Sequence, residues 1–514
     1  MKNSVRNGKI GKGHEMKVIN IMNFVRYIDE RMKDSVNILY QTTKRELEMV
    51  NEFGFENTFL LQYDAVCGEN YQKLFRELGT ERTELGLWYE IVEPLTTACG
   101  LPYRSERGWK WDWHIIPGFS MAYTHEEREM LADEAMRKFK EVFGYYPKTV
   151  ASWLLDTHTV NYLCEHYEIS AFAICRDQVN TDAYTLIGGY FNQAYYPSKK
   201  NLFTPAQTVD MQNNVPIFRL LGPCPIHNYE GQKYLSQPIH PSCFTLEPVG
   251  KMGKTPKCVD WMFKTYFENE DLGFSYAQIG QENSFGLQVL EPLRMQLEKI
   301  AELKNVEVLK MCDTGEAFKH IYPNATPATA VTAPDNWDTE DIQSVYYDCK
   351  NYVSNLMRWN QRIFIRSLFL FDERVEENYL RDVCGSFDAV YENLPIVNNL
   401  LWSGEEKEHC GLVIDEAASS FQVEKQREGA LKIEWNNGFV LYEEDKVTVS
   451  AKKIHFYVGH PTAEISVRDN CIFYAYKGTP YCLALQNAKA VRTENGDISI
   501  ESLGENCILV PKRM

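Results

Sequence analysis

Residues 57–66 read NTFLLQYDAV, a nearly continuous apolar run that stops at Asp64. An alternating pattern would mark a strand with one wet face. A continuous run marks a strand covered on both faces, the situation of a parallel sheet flanked by helices. The same form recurs on either side. Residues 17–26 (KVINIMNFVR) and 83–92 (TELGLWYEIV) read as strands, and further extended runs fall at 150–155, 169–175, 215–221, 273–279 and 306–311. Between them lie stretches with helical spacing at 34–53 (closed by Gly54), 71–78, 126–143 and 159–167. Seven or eight strand–helix units within ~300 residues predict an α/β fold, a closed (β/α)7–8 barrel rather than an open sheet.

The character changes at residues 322–335, YPNATPATAVTAPD, whose Pro, Ala and Thr content reads as a linker. Beyond it the patterning is β. Asn360-Gln361, Asn437-Gly438 and Asn495-Gly496 are hairpin signals. The expected organisation is an accessory tail at 1–16, a barrel at 17–321, a linker at 322–335 and a β-rich, sandwich-like domain at 336–514.

Composition excludes several partners. The 514 residues carry 54 Lys and Arg against 71 Asp and Glu, a formal charge of −17. Such a surplus disfavours nucleic acid and anionic membrane surfaces. The 14 cysteines contain no Cys-x-x-Cys pair, which argues against a zinc ribbon or a dithiol redox site and for a reduced compartment. The first fifteen residues hold no apolar signal-peptide core, so a cytoplasmic location is expected.

Functional side chains of a β/α barrel come from the C-terminal ends of its strands. Asp64, Glu90, Asp156, His158, Arg176, Asp177, His227 and Glu282 all terminate apolar runs, and residues 108–114 (GWKWDWH) add Trp111, Asp112 and His114 flanked by Trp109 and Trp113. Each has a plainer role available. Asp156 is placed to cap the following helix, Asp177 to pair with Arg176, and His227 to serve as a loop hydrogen-bonder. The joint pattern says more than any member. Convergent carboxylates beside aromatic walls suit a carbohydrate, whose rings offer apolar faces and whose hydroxyls need polar partners. Glycosidic cleavage needs one carboxylic acid and one carboxylate held at different pKa values.

At these residues the chain resembles the glycoside hydrolase/deacetylase barrels, over roughly residues 17–318. Residues 57–61 (NTFLL) are similar to the family's second strand, Glu84-Leu85-Gly86 to its third, and residues 143–148 (FGYYPK) to its entry into strand four. The segments LLQYDA, CRDQ, GGYFNQAYYPSK and IGQEN resemble an uncharacterised bacterial family with an appended β domain. The resemblance implies a nucleophile after strand four and a general acid after strand seven, positions matched by Asp156 and Glu282. Asp64, Glu90, Trp88, Trp111, Asp112, His114, His158, Arg176, Asp177 and His227 would then contact the sugar.

The chain also departs from the family. Deacetylases of this type end the first strand with paired aspartates and carry two histidines four apart in the third-strand motif. Here the first strand ends Asn23-Phe24-Val25-Arg26, and Trp88 and Val92 stand where the histidines would be. No other ligand spacing indicates zinc. The leading expectation is therefore a metal-independent glycoside hydrolase without a cofactor. The alternatives are a metal-dependent deacetylase and a barrel that binds carbohydrate without catalysis.

Overall fold

The computed structural model describes residues 16–227, 244–269, 272–338, 341–403 and 411–514. The expected tail thus lies, Met16 apart, outside the described residues. Seven parallel strands form the inner wall: β1 (Met16–Val25), β2 (Asn57–Leu61), β3 (Thr83–Trp88), β4 (Thr149–Ala151), β5 (Ala171–Ile174), and, after four short strands β6 (Gln178–Thr181), β7 (Tyr184–Ile187), β8 (Ala194–Tyr195) and β9 (Pro197–Ser198) and a fifth, β10 (Asn201–Pro205), β11 (Ile217–Arg219) and β12 (Phe274–Ile279). Their spatial order is β12-β1-β2-β3-β4-β5-β11, with β8 antiparallel at the far edge and β13 (Glu307–Leu309) beside the start of β1. Their side chains are almost wholly buried, as the apolar runs require. The expected run at 57–66 is shorter as a strand, because Gln62 leads into a helix at Tyr63–Cys67 that carries Asp64.

The barrel is nearly closed. Between β11 and β12 the seam is made by side-chain amides rather than by a ladder. Gln278 accepts from the Leu221 N–H through Oε1 (2.6 Å), and Asn192 Nδ2 donates to the Tyr276 carbonyl.

A β domain follows the barrel. One sheet of nine strands begins with Thr329–Ala333, Ile342–Asp348, Tyr352–Trp359 and Arg362–Leu370, and a second sheet of eight runs from Gln422–Arg427 to Cys507–Arg513. Both faces of the first sheet are buried. Val331, Tyr346, Met357 and Phe364 join the barrel core, while Val345, Leu356 and Ile365 pack with Leu431, Val440 and Leu483 of the second sheet. This is the period-two alternation of a middle layer.

Two details correct the sequence reading. The stretch read as a linker contains the edge strand Thr329–Ala333, whose Thr and Val residues pair with Ile342–Asp348. The β domain also reaches back: Ala389–Glu392 runs parallel to β7 and completes a three-stranded sheet with β6. The hairpins stand where expected, with Asn360 and Gln361 at positive φ. In the second, however, the loop is Asn436-Asn437, and Gly438 pairs with Trp435 as the first residue of the next strand. A side chain at Gly438 would meet the Ser450 carbonyl at 2.5 Å, so crowding rather than turn geometry calls for glycine there.

Candidate active site

The mouth of the barrel is organised around Arg26, the residue after β1. Its Nε and Nη2 donate to the two oxygens of Glu90 (3.2 and 2.9 Å), and its Nη1 donates to Glu282 Oε2 and to Ser284 Oγ (3.2 Å). Glu90 also accepts from Gln62 Nε2 (2.5 Å) and Trp111 Nε1 (2.7 Å). The guanidinium lies 4.2 Å from the centre of the Trp111 ring. Burial alone would weaken the Arg26 charge, but the carboxylates of Glu282 and Glu90 more than offset it, and its pKa is raised.

Local sequence explains this placement. Gly280, at φ +100°, lets the chain after β12 pass against β1, where a Cβ would sit 2.0 Å from the Met22 carbonyl. Phe24 N–H then bonds the Gln281 carbonyl (2.8 Å). Asn283 clamps Arg26 from both sides of its backbone, accepting from its N–H (3.0 Å) and donating to its carbonyl (2.9 Å). Behind Gln281, Glu46 accepts from its side-chain amide at 2.7 Å.

Two more carboxyls share the mouth. Glu247 is buried, and that burial, reinforced by the nearby charge of Glu282, pushes its pKa up to about 8 against the pull of Arg176. Asp64 is pushed up to about 7, chiefly by burial and in part by Glu90, although it accepts the Ala65 N–H at 2.8 Å. Four carboxyls thus divide into two salt-bridged to Arg26 and two that hold protons near neutral pH. Environments that set acids apart in this way are a mark of acid–base sites.

The residues expected from sequence fall into separate groups. Asp64, Glu90, Trp111 and Glu282 come together at Arg26, and Arg176 lies near Glu247. Asp112 and His114 belong to the loop beside them. Burial pushes the Asp112 carboxyl up, but bonds from Arg107 (2.9 Å from Nε), the His114 N–H and Ser105 hold it below its usual range. The tryptophans expected to stack on sugar have guanidiniums near their rings instead. Arg31 lies 4.8 Å from Trp111 and 5.1 Å from Trp113, and Arg107 lies 3.8 Å from Trp113 and 4.0 Å from Trp109. Trp88 is enclosed, stacked on Phe24 at 4.2 Å.

The nucleophile expected at Asp156 gives way to a structural role. The side chain caps the helix Thr157–His166 through the Thr159 N–H (3.0 Å) and hydroxyl (2.7 Å), pairs with Arg128 at 2.9 Å, and accepts from Ser120. Burial opposes its ionisation, yet Arg128 and these bonds hold its pKa below the usual value. Its side chain is 0% exposed, which leaves no face for a substrate carbon. His158 lies beside this cap, bonded to Glu129 and stacked on His125. The Asp177 carboxylate pairs with Arg219 at 2.6 Å, while Arg176 donates to the Asp177 backbone carbonyl at 2.7 Å. His227 packs its ring against Phe244.

Arg26, Gln62, Ser284 and Glu247 were not singled out by sequence. The first two end strands, so the strand-end rule reaches them once it is widened beyond acids. Half-buried Trp153, edge-on to Trp88 and Phe24 (5.1 and 5.3 Å), is the aromatic side chain this rule would add after β4.

Among the described residues, the positions that would hold a deacetylase metal carry other groups. A cation already stands at the end of β1, Trp88 offers an enclosed indole, and Val92 is a buried hydrocarbon. Among the described residues, no three His, Cys, Asp or Glu side chains are grouped to hold an ion.

The fold is a nearly closed β/α barrel with a β domain packed against it. A Parabacteroides distasonis structure, provisionally described as a glycoside hydrolase/deacetylase, shares the fold at 13% identity and a TM-score of 0.53, over 71% of this chain and 87% of that one. A Mycobacterium smegmatis polysaccharide deacetylase, also provisionally described (13%, TM-score 0.36, 60% and 91% covered), and a Thermococcus litoralis 4-alpha-glucanotransferase (10%, TM-score 0.31, 97% and 100% covered) overlay too loosely to add to that. No protein-family model matches the chain, and no curated protein matches it in sequence. Among the described residues, no helix is long and apolar enough to cross a membrane.

Proposed function

We propose that this protein is a carbohydrate-active enzyme that cleaves a glycosidic bond at the barrel mouth, with Glu247 as proton donor and Glu282, salt-bridged to Arg26, as its partner. The observation that carries this reading is the grouping in one buried mouth of Glu90 and Glu282, both salt-bridged to Arg26, with Glu247, whose carboxyl burial pushes up. A carboxyl titrating at about 8 keeps its proton at neutral pH and hands it to the leaving oxygen as the bond breaks. Glu282 is bonded through Oε2 to Arg26, while Oε1 makes no bond among the described residues. That oxygen is available to attack the sugar or to draw a proton from water. Arg26 fixes the orientation of this carboxylate, Glu90 holds Arg26 in turn, and Asp64 would meet a hydroxyl. No step calls for a metal.

The test is turnover of aryl glycosides and acetylated aryl sugars by the pure protein, with and without a chelator. Glycoside cleavage that the chelator leaves unchanged is expected. E247Q and E282Q should each lower kcat by about 10²–10⁴-fold. Activity should fall as pH rises through about 8, because Glu247 then loses the proton it donates. Acetate release abolished by the chelator would overturn the reading in favour of a deacetylase. Saturable sugar binding without turnover would leave only a binding barrel.

A further inference from the structure

The chain after β4 carries an aromatic ring of a different kind from the loop tryptophans. Guanidiniums lie 4.0, 4.2 and 3.8 Å from the ring centres of Trp109, Trp111 and Trp113. Trp153, two residues beyond the end of β4, has no cation over it among the described residues. Phe24 and Trp88 stack on each other at 4.2 Å and 18°, and Trp153 stands 5.3 and 5.1 Å from them, at 81° and 84°. A ring perpendicular to two stacked rings and equally distant from both lies with one face across their edges. The opposite face is left to the solvent that its half-buried position admits. The backbone there is pinned to the next strand, since the Ser152 N–H donates to the Ala173 carbonyl (3.1 Å) and the Trp153 carbonyl accepts from the Cys175 N–H (3.0 Å). The height is that of the carboxyls. Trp88 pairs with Ala151, so Glu90 and Trp153 each follow that pair by two residues, and Phe24 is bridged to Glu282.

We propose that Trp153 is the platform on which the sugar ring stacks, and that the ligand is a neutral pyranose with axial C–H bonds gathered on one face, as in a glucoside or galactoside. An aromatic face is the negative side of the ring quadrupole, and C–H bonds beside oxygen are weakly positive. Such a sugar lays its C–H face on the indole and turns its hydroxyls to the polar groups around it. The same mouth disfavours a sugar acid. Glu90 and Glu282 already share the guanidinium of Arg26, and a further carboxylate would crowd a third acid against it. The inference rests on the carbohydrate reading above and names the ring that reading needs. It is read from binding, apart from cleavage.

The experiment is calorimetric titration of the full chain carrying E247Q, so that binding is read without cleavage, with methyl β-glucoside, methyl β-galactoside and methyl β-glucuronide. W153F, W153L and W109A are compared in the same background. A neutral glycoside should bind saturably, and the glucuronide at least ~3-fold more weakly. W153L should weaken the neutral sugar about 3–10-fold and W153F about 2-fold at most, because the ring rather than its bulk makes the contact. W109A, whose ring is taken up by Arg107, should bind like its parent. With Glu247 restored, W153L should raise KM and leave kcat within about 3-fold. The proposal is overturned if no neutral glycoside binds, if W153L binds like its parent, if W109A loses as much as W153L, or if the glucuronide is preferred. Binding that W153L weakens, without turnover when Glu247 is present, keeps the platform and removes the hydrolysis. Turnover with a KM that W153L leaves unmoved does the reverse. Should W153L fail to fold, oxidation of the wild type with N-bromosuccinimide and peptide mapping decide the matter. Trp153 should be oxidised in the free protein and protected by the glycoside, and a Trp153 that the glycoside leaves unprotected overturns the proposal as well.

Discussion

Of the carboxylate–arginine pairs past the ends of the parallel strands, those of Asp156 and Glu282 have opposite characters. Asp156, after β4, and Arg128 have side chains that are both 0% exposed, and Thr159 and Ser120 take up what Arg128 leaves of the carboxylate. Glu282, after β12, keeps 9% of its side chain in reach of solvent and, among the described residues, one oxygen without a bond. It also faces a second carboxyl, Glu247, that holds a proton near neutral pH. A buried ion pair at a strand end is therefore not by itself a site. Asp156 too has a neighbour whose pKa is raised to about 8, Glu377, so what distinguishes the mouth is the acid left incompletely satisfied.

The sharpest way to break this contrast is to remove Arg128. R128M would strand the Asp156 charge in the core and should lower stability by about 3–5 kcal/mol in urea unfolding. D156N, which preserves most of the cap, should leave turnover within about tenfold. A loss near 10⁴-fold would make Asp156 the nucleophile after all. Next comes G280A, which tests how the backbone sets Glu282 against β1. The positive φ and the contact with the Met22 carbonyl predict a destabilisation of about 1–3 kcal/mol, together with a loss of activity.

Proton linkage runs through both regions. Burial pushes Glu46, Glu247 and Glu377 up to about 8 and Asp64 up to about 7. Across this window the folded chain holds protons that the unfolded chain has released, so stability should fall as pH rises from about 5 to 8. Asp156 works in the other direction, since its lowered pKa gives stability that is lost as pH falls through the acid range. Tm measured at pH 5, 7 and 9 reads the slope, and E46Q should flatten it, gaining on the order of 1–3 kcal/mol at pH 9. The smallest effect belongs to W111F, which removes the indole N–H from Glu90 while keeping an aromatic ring over Arg26. About 1–2 kcal/mol is expected, read as a shift in urea midpoint.

Legibility followed the physics of each element. Parallel strands buried on both faces write themselves as apolar runs, so the barrel and the strand ends carrying Asp64, Glu90 and Glu282 stood out in the sequence. Arg26 occupies an equivalent position, but a basic residue there reads as a missing ligand and hides its part as the hub of the mouth. Glu247 lies outside any strand or helical pattern and reaches the mouth through tertiary packing alone. The strand Thr329–Ala333 was hidden by composition, because Ala, Thr and Pro suit a flexible tether as well as an edge. The tryptophan loop misled in a different way. Arg107, close to the loop's tryptophans in sequence, and Arg26 and Arg31, brought in from the end of β1, lie against those rings.

The strand Ala389–Glu392, paired to β7, has a consequence in time. All of the barrel's wall strands leave the ribosome before this strand does, and so before Glu377, which accepts from the Thr157 N–H and hydroxyl at the start of the Thr157–His166 helix. During synthesis the barrel therefore waits, short of a strand and a helix contact, until well into the second domain. A chain stopped at residue 335 would arrest it in that unfinished form, with β7 as an open edge inviting other chains.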